Sequence, residues 1–151
     1  NNSKFETANN VSKFIKQESN FGINTIKVYS NFQSQCEKIK NDFLNFLLDM
    51  KLENKKVIAY GAAAKGTTIL NFSGVKNDLL SYVVDKNPAK FGKFMPGSRI
   101  PIFEESVIKK DKPDYVVIFP WNLSKEIKYQ LDYIRQWNGR FVILLPELVI
   151  N

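Results

Sequence analysis

Apolar residues recur at Tyr29, Phe32, Cys36, Ile39, Phe43, Phe46 and Met50 in alternating steps of three and four. That spacing keeps one face of an α-helix apolar and predicts the longest helix of the chain over 29–50. Such a stripe fits a helix laid along a sheet or a seam against another helix, and the first is commoner in a compact domain. Cys36 lies on the stripe and is expected in the core. Upstream, Val11, Phe14 and Ile15 set a shorter helix over 9–19 that stops near Gly22. It carries little apolar surface of its own, so 1–22 reads as a linker helix and 23–151 as the domain.

From Lys55 onward the period changes. Near-continuous apolar runs at 57–60, 79–84, 115–119 and 141–145 alternate with helical patterns at 65–72, 104–109 and 124–137. Strands alternating with helices predict an α/β fold: a Rossmann-like parallel sheet of about four or five strands with helices on both faces, preceded by the long helix. Strands this apolar are those covered on both sides. The segment from Asn87 to Pro101, with Pro88, Gly92, Pro96 and Gly97, is too rich in breakers to be regular and long enough to be functional.

In an open α/β sheet, ligands sit beyond the carboxyl ends of the strands. The residues there are Gly61, Ala62, Ala63, Ala64, Lys65, Gly66 and Thr67 after the first run, and Asp85 and Asn87 after the second. Trp121 and Asn122 follow the third, and Glu147 the fourth. The Gly61–Gly66 loop joins a strand to a helix N-terminus, whose unpaired N–H groups suit an anion, most simply a phosphate, and Lys65 adds a mobile positive charge. The same glycines could serve packing alone. The spacing fits neither G-x-G-x-x-G, since Ala63 holds the second glycine's place, nor a Walker loop, since Lys65 precedes its glycine. Asp85 lies 24 positions after Gly61 and could accept ribose hydroxyls or fix the turn that follows it. Asn122 could bond a ligand or cap the helix that starts at Ser124, with capping slightly favoured. Trp121 offers a stacking surface that a simple turn does not require, whereas Trp137 is read as packing.

Composition narrows the chemistry. The 151 residues are 44% hydrophobic and 25% charged, ordinary for a globular protein. The absence of histidine removes histidine-based triads and zinc sites, and no nucleophile–base pair or metal cluster emerges. Lys65, Asp85 and Glu147 alone cannot supply a mechanism, so the rim reads as half an active site. The net charge of +7 is spread over 22 basic residues without a run, which argues against nucleic acid. No apolar run approaches the length of a membrane span, the polar start lacks a signal-peptide core, and a single cysteine agrees with a reducing compartment; a cytoplasmic location is expected.

Five segments in order carry a family resemblance: Val57 to Asn71, Tyr82 to Pro88, Met95 to Ile102, Pro113 to Asn122, and Pro146-Glu147. Together they resemble the C-terminal domain of S-adenosylmethionine-dependent sugar C-methyltransferases, enzymes of nucleotide-linked deoxysugars. The resemblance implies three parts: a zinc-binding N-terminal domain, a cofactor-binding middle domain, and a Rossmann-like C-terminal domain, the only one seen here. It implies that zinc and S-adenosylmethionine lie on upstream domains, that this part is inactive alone, and that the general base is on the middle domain. It implies a reaction in which a proton beside a sugar keto group is removed and the resulting enolate takes the methyl. The C-terminal domain would then hold the nucleotide-sugar, with the Gly61–Gly66 loop and Lys65 facing the diphosphate and Trp121 and Asn122 near the nucleotide or sugar. Two other roles stay open: a free-standing NAD- or coenzyme A-binding module, and a structural domain that contacts only its neighbour.

Overall fold

A computed structural model describes residues 9–151; the polar start Asn1-Asn2-Ser3-Lys4 and the first part of the predicted linker lie outside the described residues. The chain divides into two units, 1–37 and 38–151. In the first unit, helix α1 (Asn9–Phe21) ends where Gly22, at φ 87°, turns the chain and its N–H reaches back to the Glu18 carbonyl. A short helix α2 (Ile26–Ser30) follows, and the Tyr29 hydroxyl donates to the Ile23 carbonyl at 2.8 Å.

The long predicted helix is observed as α3 (Phe32–Leu52), interrupted from Tyr29 by Asn31. Its stripe divides along its length. Phe43, Phe46 and Met50 are buried, Cys36 is half-buried rather than in the core, and Tyr29 and Phe32 are exposed.

The sheet has six strands: β1 (Val57–Tyr60), β2 (Val83–Asp85), β3 (Ile102–Glu104), β4 (Tyr115–Ile118), β5 (Arg140–Ile143) and β6 (Val149–Ile150). They lie in the order β3-β2-β1-β4-β5-β6, with the first five mutually parallel and β6 antiparallel to β5. Alternation along each strand feeds two separate cores. Val57, Ala59, Val83, Val117 and Val142 face Phe43, Leu47 and Met50 of α3 and Leu70 of α4 (Ala64–Ser73). Ile58, Tyr60, Val84, Val116, Ile118 and Phe141 face Ile108 of α5 (Val107–Asp111), Ile127 of α6 (Ser124–Gln130), and Leu131 and Ile134. Helices therefore cover both faces, as nearly continuous apolar strands require.

Four local expectations change. The strand expected over 79–84 begins only at Val83, because the Leu79 and Leu80 N–H groups bond the Lys76 carbonyl in a turn before it. The 104–109 helix is instead edge strand β3 followed by α5, because β3 is held by its pairing with β2 rather than by its own pattern. The 124–137 helix tightens after Gln130 into a 3-10 stretch over Asp132–Trp137, which ends where Asn138 turns left-handed at φ 64°. The breaker-rich segment is a packed clasp: Met95 and Ile100 are buried in the α3/α4 core. Asn71 of α4 donates to the Pro96 carbonyl at 2.9 Å, and Lys76 to that of Gly97 at 2.8 Å.

Candidate functional site

The strand order reverses at β1. The chain runs outward through β2 and β3, then returns to the other side of β1 with β4. In such sheets the crevice at the carboxyl ends of the two strands flanking the reversal is where ligands bind, here between the loop after β1 and the turn after β4.

The ends of β1 and β4 deliver their predicted residues to that crevice. After β1, Gly61 adopts φ 100°, and its N–H continues the ladder to the Val84 carbonyl at 2.8 Å. A Cβ on Gly61 would stand 2.6 Å from the ring of Pro120, and one on Gly66 would stand 2.5 Å from the ring of buried Phe119. Both glycines are therefore required by the chain's own packing against the end of β4. The Ala62 N–H donates to Asp85 Oδ2 at 2.8 Å, and that of Ala63 to the Gly61 carbonyl at 3.0 Å. Helix α4 then begins, and its first internal bond runs from the Thr67 N–H to the Ala63 carbonyl. The Ala64, Lys65 and Gly66 N–H groups have no partner among the described residues, and alanine at position 63 has no side chain with which to cap them.

Lys65 crosses the crevice. Its ammonium lies 4.5 Å from the centre of the Trp121 ring and donates to Asn122 Oδ1. The structure thus brings together three of the predicted side chains, from two different strand ends, and Lys65 pairs with no carboxylate among the described residues. This corrects the favoured reading of Asn122: α6 has no side-chain cap, and the Asn122 oxygen serves Lys65 instead. A cation over a partly exposed indole contributes about 0.5–1 kcal/mol, enough to set the lysine's resting position but not to hold it there against a phosphate.

Asp85 and Asn87 take a different part. The Asp85 carboxylate, 9% exposed, accepts from the Ala62 N–H at 2.8 Å, the Asn87 N–H at 2.9 Å and the Lys90 ammonium at 2.8 Å. It fastens the β1 loop to the β2 turn. Asn87 caps the 3-10 turn Pro88–Lys90 by accepting from the Ala89 N–H at 3.0 Å. Glu147 lies exposed after β5.

Sequence reasoning missed the partners. Lys90, five positions after Asp85, is the cation that neutralises it, and the 3-10 turn that brings it back is signalled by Asn87-Pro88. Tyr60, beside the loop, donates to Glu105 at 3.0 Å and accepts from Gln130 at 3.1 Å, and Gln130 also donates to Glu105. Burial raises the Tyr60 phenol well above its ordinary value, so it keeps its proton at neutral pH and is no general base.

Comparison with protein families matches residues 1–146 to the C-methyltransferase C-terminal domain family. The chain belongs to that family. The C-methyltransferase NovU of Streptomyces niveus is 28% identical over 137 residues, which are 91% of this chain and 33% of the relative. The chain thus spans about a third of the length of the curated relative it matches. Among solved structures, the UDP-D-quinovosamine 4-dehydrogenase of Vibrio fischeri is similar over 62% of this chain and 79% of its own, at 20% identity and a TM-score of 0.46. In this C-methyltransferase C-terminal domain, no helix among the described residues is long and apolar enough to cross a membrane.

Proposed function

We propose that this chain is the substrate-side part of an S-adenosylmethionine-dependent C-methyltransferase acting on a nucleotide-linked keto-deoxysugar. The observation that carries the reading is the convergence of Lys65, Trp121 and Asn122 at the strand-order reversal, beside the three unpartnered N–H groups that open α4. A diphosphate takes the ammonium and the N–H groups, a ring stacks on Trp121, and the Asn122 amide bonds a hydroxyl. Asp85 and Asn87 act one step back by fixing the two loops. This use of Asp85 disfavours the NAD reading, because the carboxylate that would accept ribose hydroxyls already accepts three internal hydrogen bonds.

Neither zinc nor S-adenosylmethionine fits this chain's residues. It has one cysteine and no histidine, and among the described residues no cluster of His, Cys, Asp or Glu could hold a metal ion. The loop after β1 lacks the acidic-Gly-x-Gly pattern of a methyltransferase cofactor site. Both groups, and the base that removes the sugar proton, are assigned to an upstream methyltransferase domain of the same polypeptide. The reaction is placed in the cytoplasm.

Lys65→Ala in the full-length enzyme tests the reading. Loss of a charged hydrogen-bond donor to phosphate costs about 1.5–3 kcal/mol, so KM for the nucleotide-sugar should rise roughly 10- to 100-fold with kcat little changed. An unchanged KM overturns the assignment.

A further inference from the structure

At the opposite end of the sheet, where the chain enters β4 and β5, lies a cleft of about 390 Å³ lined by Lys109, Lys112, Tyr133, Gln136 and Trp137. Every one of these side chains can donate a hydrogen bond, and no carboxylate lines the cleft. Among the described residues only one of the donors is in use: the Trp137 indole N–H donates to the Pro113 carbonyl at 3.0 Å. Lys109 and Lys112 form no ion pair among the described residues, and neither the Tyr133 hydroxyl nor the Gln136 amide has a partner there.

The geometry is held from behind. Lys112 closes α5 in a left-handed conformation, φ 47°, with its N–H bonded to the Ile108 carbonyl at 2.9 Å. Tyr133 and Trp137 sit with ring centres 5.9 Å apart, and the Lys109 ammonium lies 4.7 Å from the Tyr133 ring centre. Burial, then the charge of Glu105, pushes the Tyr133 phenol up to about 12, so it remains a donor at neutral pH.

We propose that this cleft is a second binding site, for a small anion carrying a planar aromatic group, of the nucleoside monophosphate class. The two ammonium groups take the phosphate, Gln136 and Tyr133 supply further donors, and the Trp137 ring packs against the base. The volume lies within the range of small-ligand sites. The site does not depend on the crevice at the other end of the sheet, so it stands or falls separately from the proposed methyltransferase role.

The test is a titration of the 151-residue chain with adenosine monophosphate, followed by the two indole N–H signals in NMR spectra. Saturable shifts of the Trp137 indole and of the Lys109 and Lys112 amides are expected, with a dissociation constant below about 1 mM. Lys109→Glu and Lys112→Glu, both at exposed positions, should each weaken binding at least about tenfold. Inorganic phosphate and adenosine should each bind more weakly than the monophosphate. An absence of saturable shift up to about 10 mM, affinity unchanged by both charge reversals, or shifts confined to the Trp121 indole overturns the proposal. Phosphate binding as tightly as the monophosphate overturns its aromatic half.

Discussion

Gly61→Ala separates two explanations of the loop that look alike in sequence. If the glycine exists to let a ligand approach, alanine should spare the free protein and damage binding. The structure predicts the reverse order of effects. At φ 100°, an alanine sits in a backbone region that costs about 1–3 kcal/mol. Its Cβ would also stand 2.6 Å from the Pro120 ring, which cannot rotate aside. Nor can the backbone yield easily, because the Phe119 N–H is bonded to the Tyr60 carbonyl at 3.1 Å and the Gly61 N–H to Val84. Overpacking of this kind adds about 1–3 kcal/mol, and the lower entropy of unfolded alanine returns less than about 1 kcal/mol. The net loss is about 2–5 kcal/mol, a large fraction of a typical domain's stability, and lowers Tm by on the order of 10 °C. Thermal and urea unfolding of the ligand-free chain, followed by circular dichroism, reads it directly. Gly92→Ala is the internal control: it shares a positive φ, 71°, but meets nothing within 4 Å, so it isolates strain from collision. Gly61→Ala must be clearly the more destabilising of the two. A Tm within about 2 °C of the parent refutes the packing argument.

Two further outcomes follow from the same contacts. Asp85→Asn should destabilise the ligand-free chain by about 2 kcal/mol, because it weakens the bonds from Ala62 and Asn87 and leaves the Lys90 ammonium without its carboxylate; unfolding midpoints indistinguishable from the parent contradict this. Burial pushes the Asp111 carboxyl up, but hydrogen bonds from Lys56 and Tyr82 outweigh it and hold the native group below the ordinary value of 3.8. A depressed native value gives stability that is present above the unfolded value and lost as the pH falls through the native one. Asp111→Asn should therefore flatten the decline in stability below about pH 4, and an acid limb of unchanged steepness argues against it.

The legible parts of the fold were those whose residues carry their own reason for their conformation. β1, β4 and β5 are central and buried, so their apolar runs stand out. β3 buries Ile102 alone of its three residues and β6 has only two residues, so both exist through pairing with a neighbour that no local pattern announces. The change from α6 to the 3-10 stretch was invisible because Ile127, Leu131 and Ile134 keep the same apolar stripe through both. The strand-end rule likewise put Lys65, Trp121 and Asn122 on one rim, where the structure brings them together, whereas the favoured cap at Asn122 failed because Lys65, 57 positions earlier in the chain, takes the same oxygen. Composition could not reveal that Lys90 answers Asp85, which takes the 3-10 turn between them, or that Phe119 and Pro120 answer the two glycines, which are long-range contacts.

These contacts also give a physical account of the loop's irregular glycine spacing. In a dinucleotide fingerprint the second glycine lets the backbone come close to a pyrophosphate. Here Ala63 holds that place, Gly61 and Gly66 are wedged against the end of β4, and the Ala62 N–H is committed to Asp85. The loop's shape is therefore fixed by the protein before any ligand arrives, and it cannot fold around one. In the proposed reading, recognition would fall to what remains free: the opening N–H groups of α4 and the side chains of Lys65, Trp121 and Asn122. Under that reading the anion would be held at an open rim with its opposite side uncovered, which is the arrangement a second domain bringing the reactive groups would require.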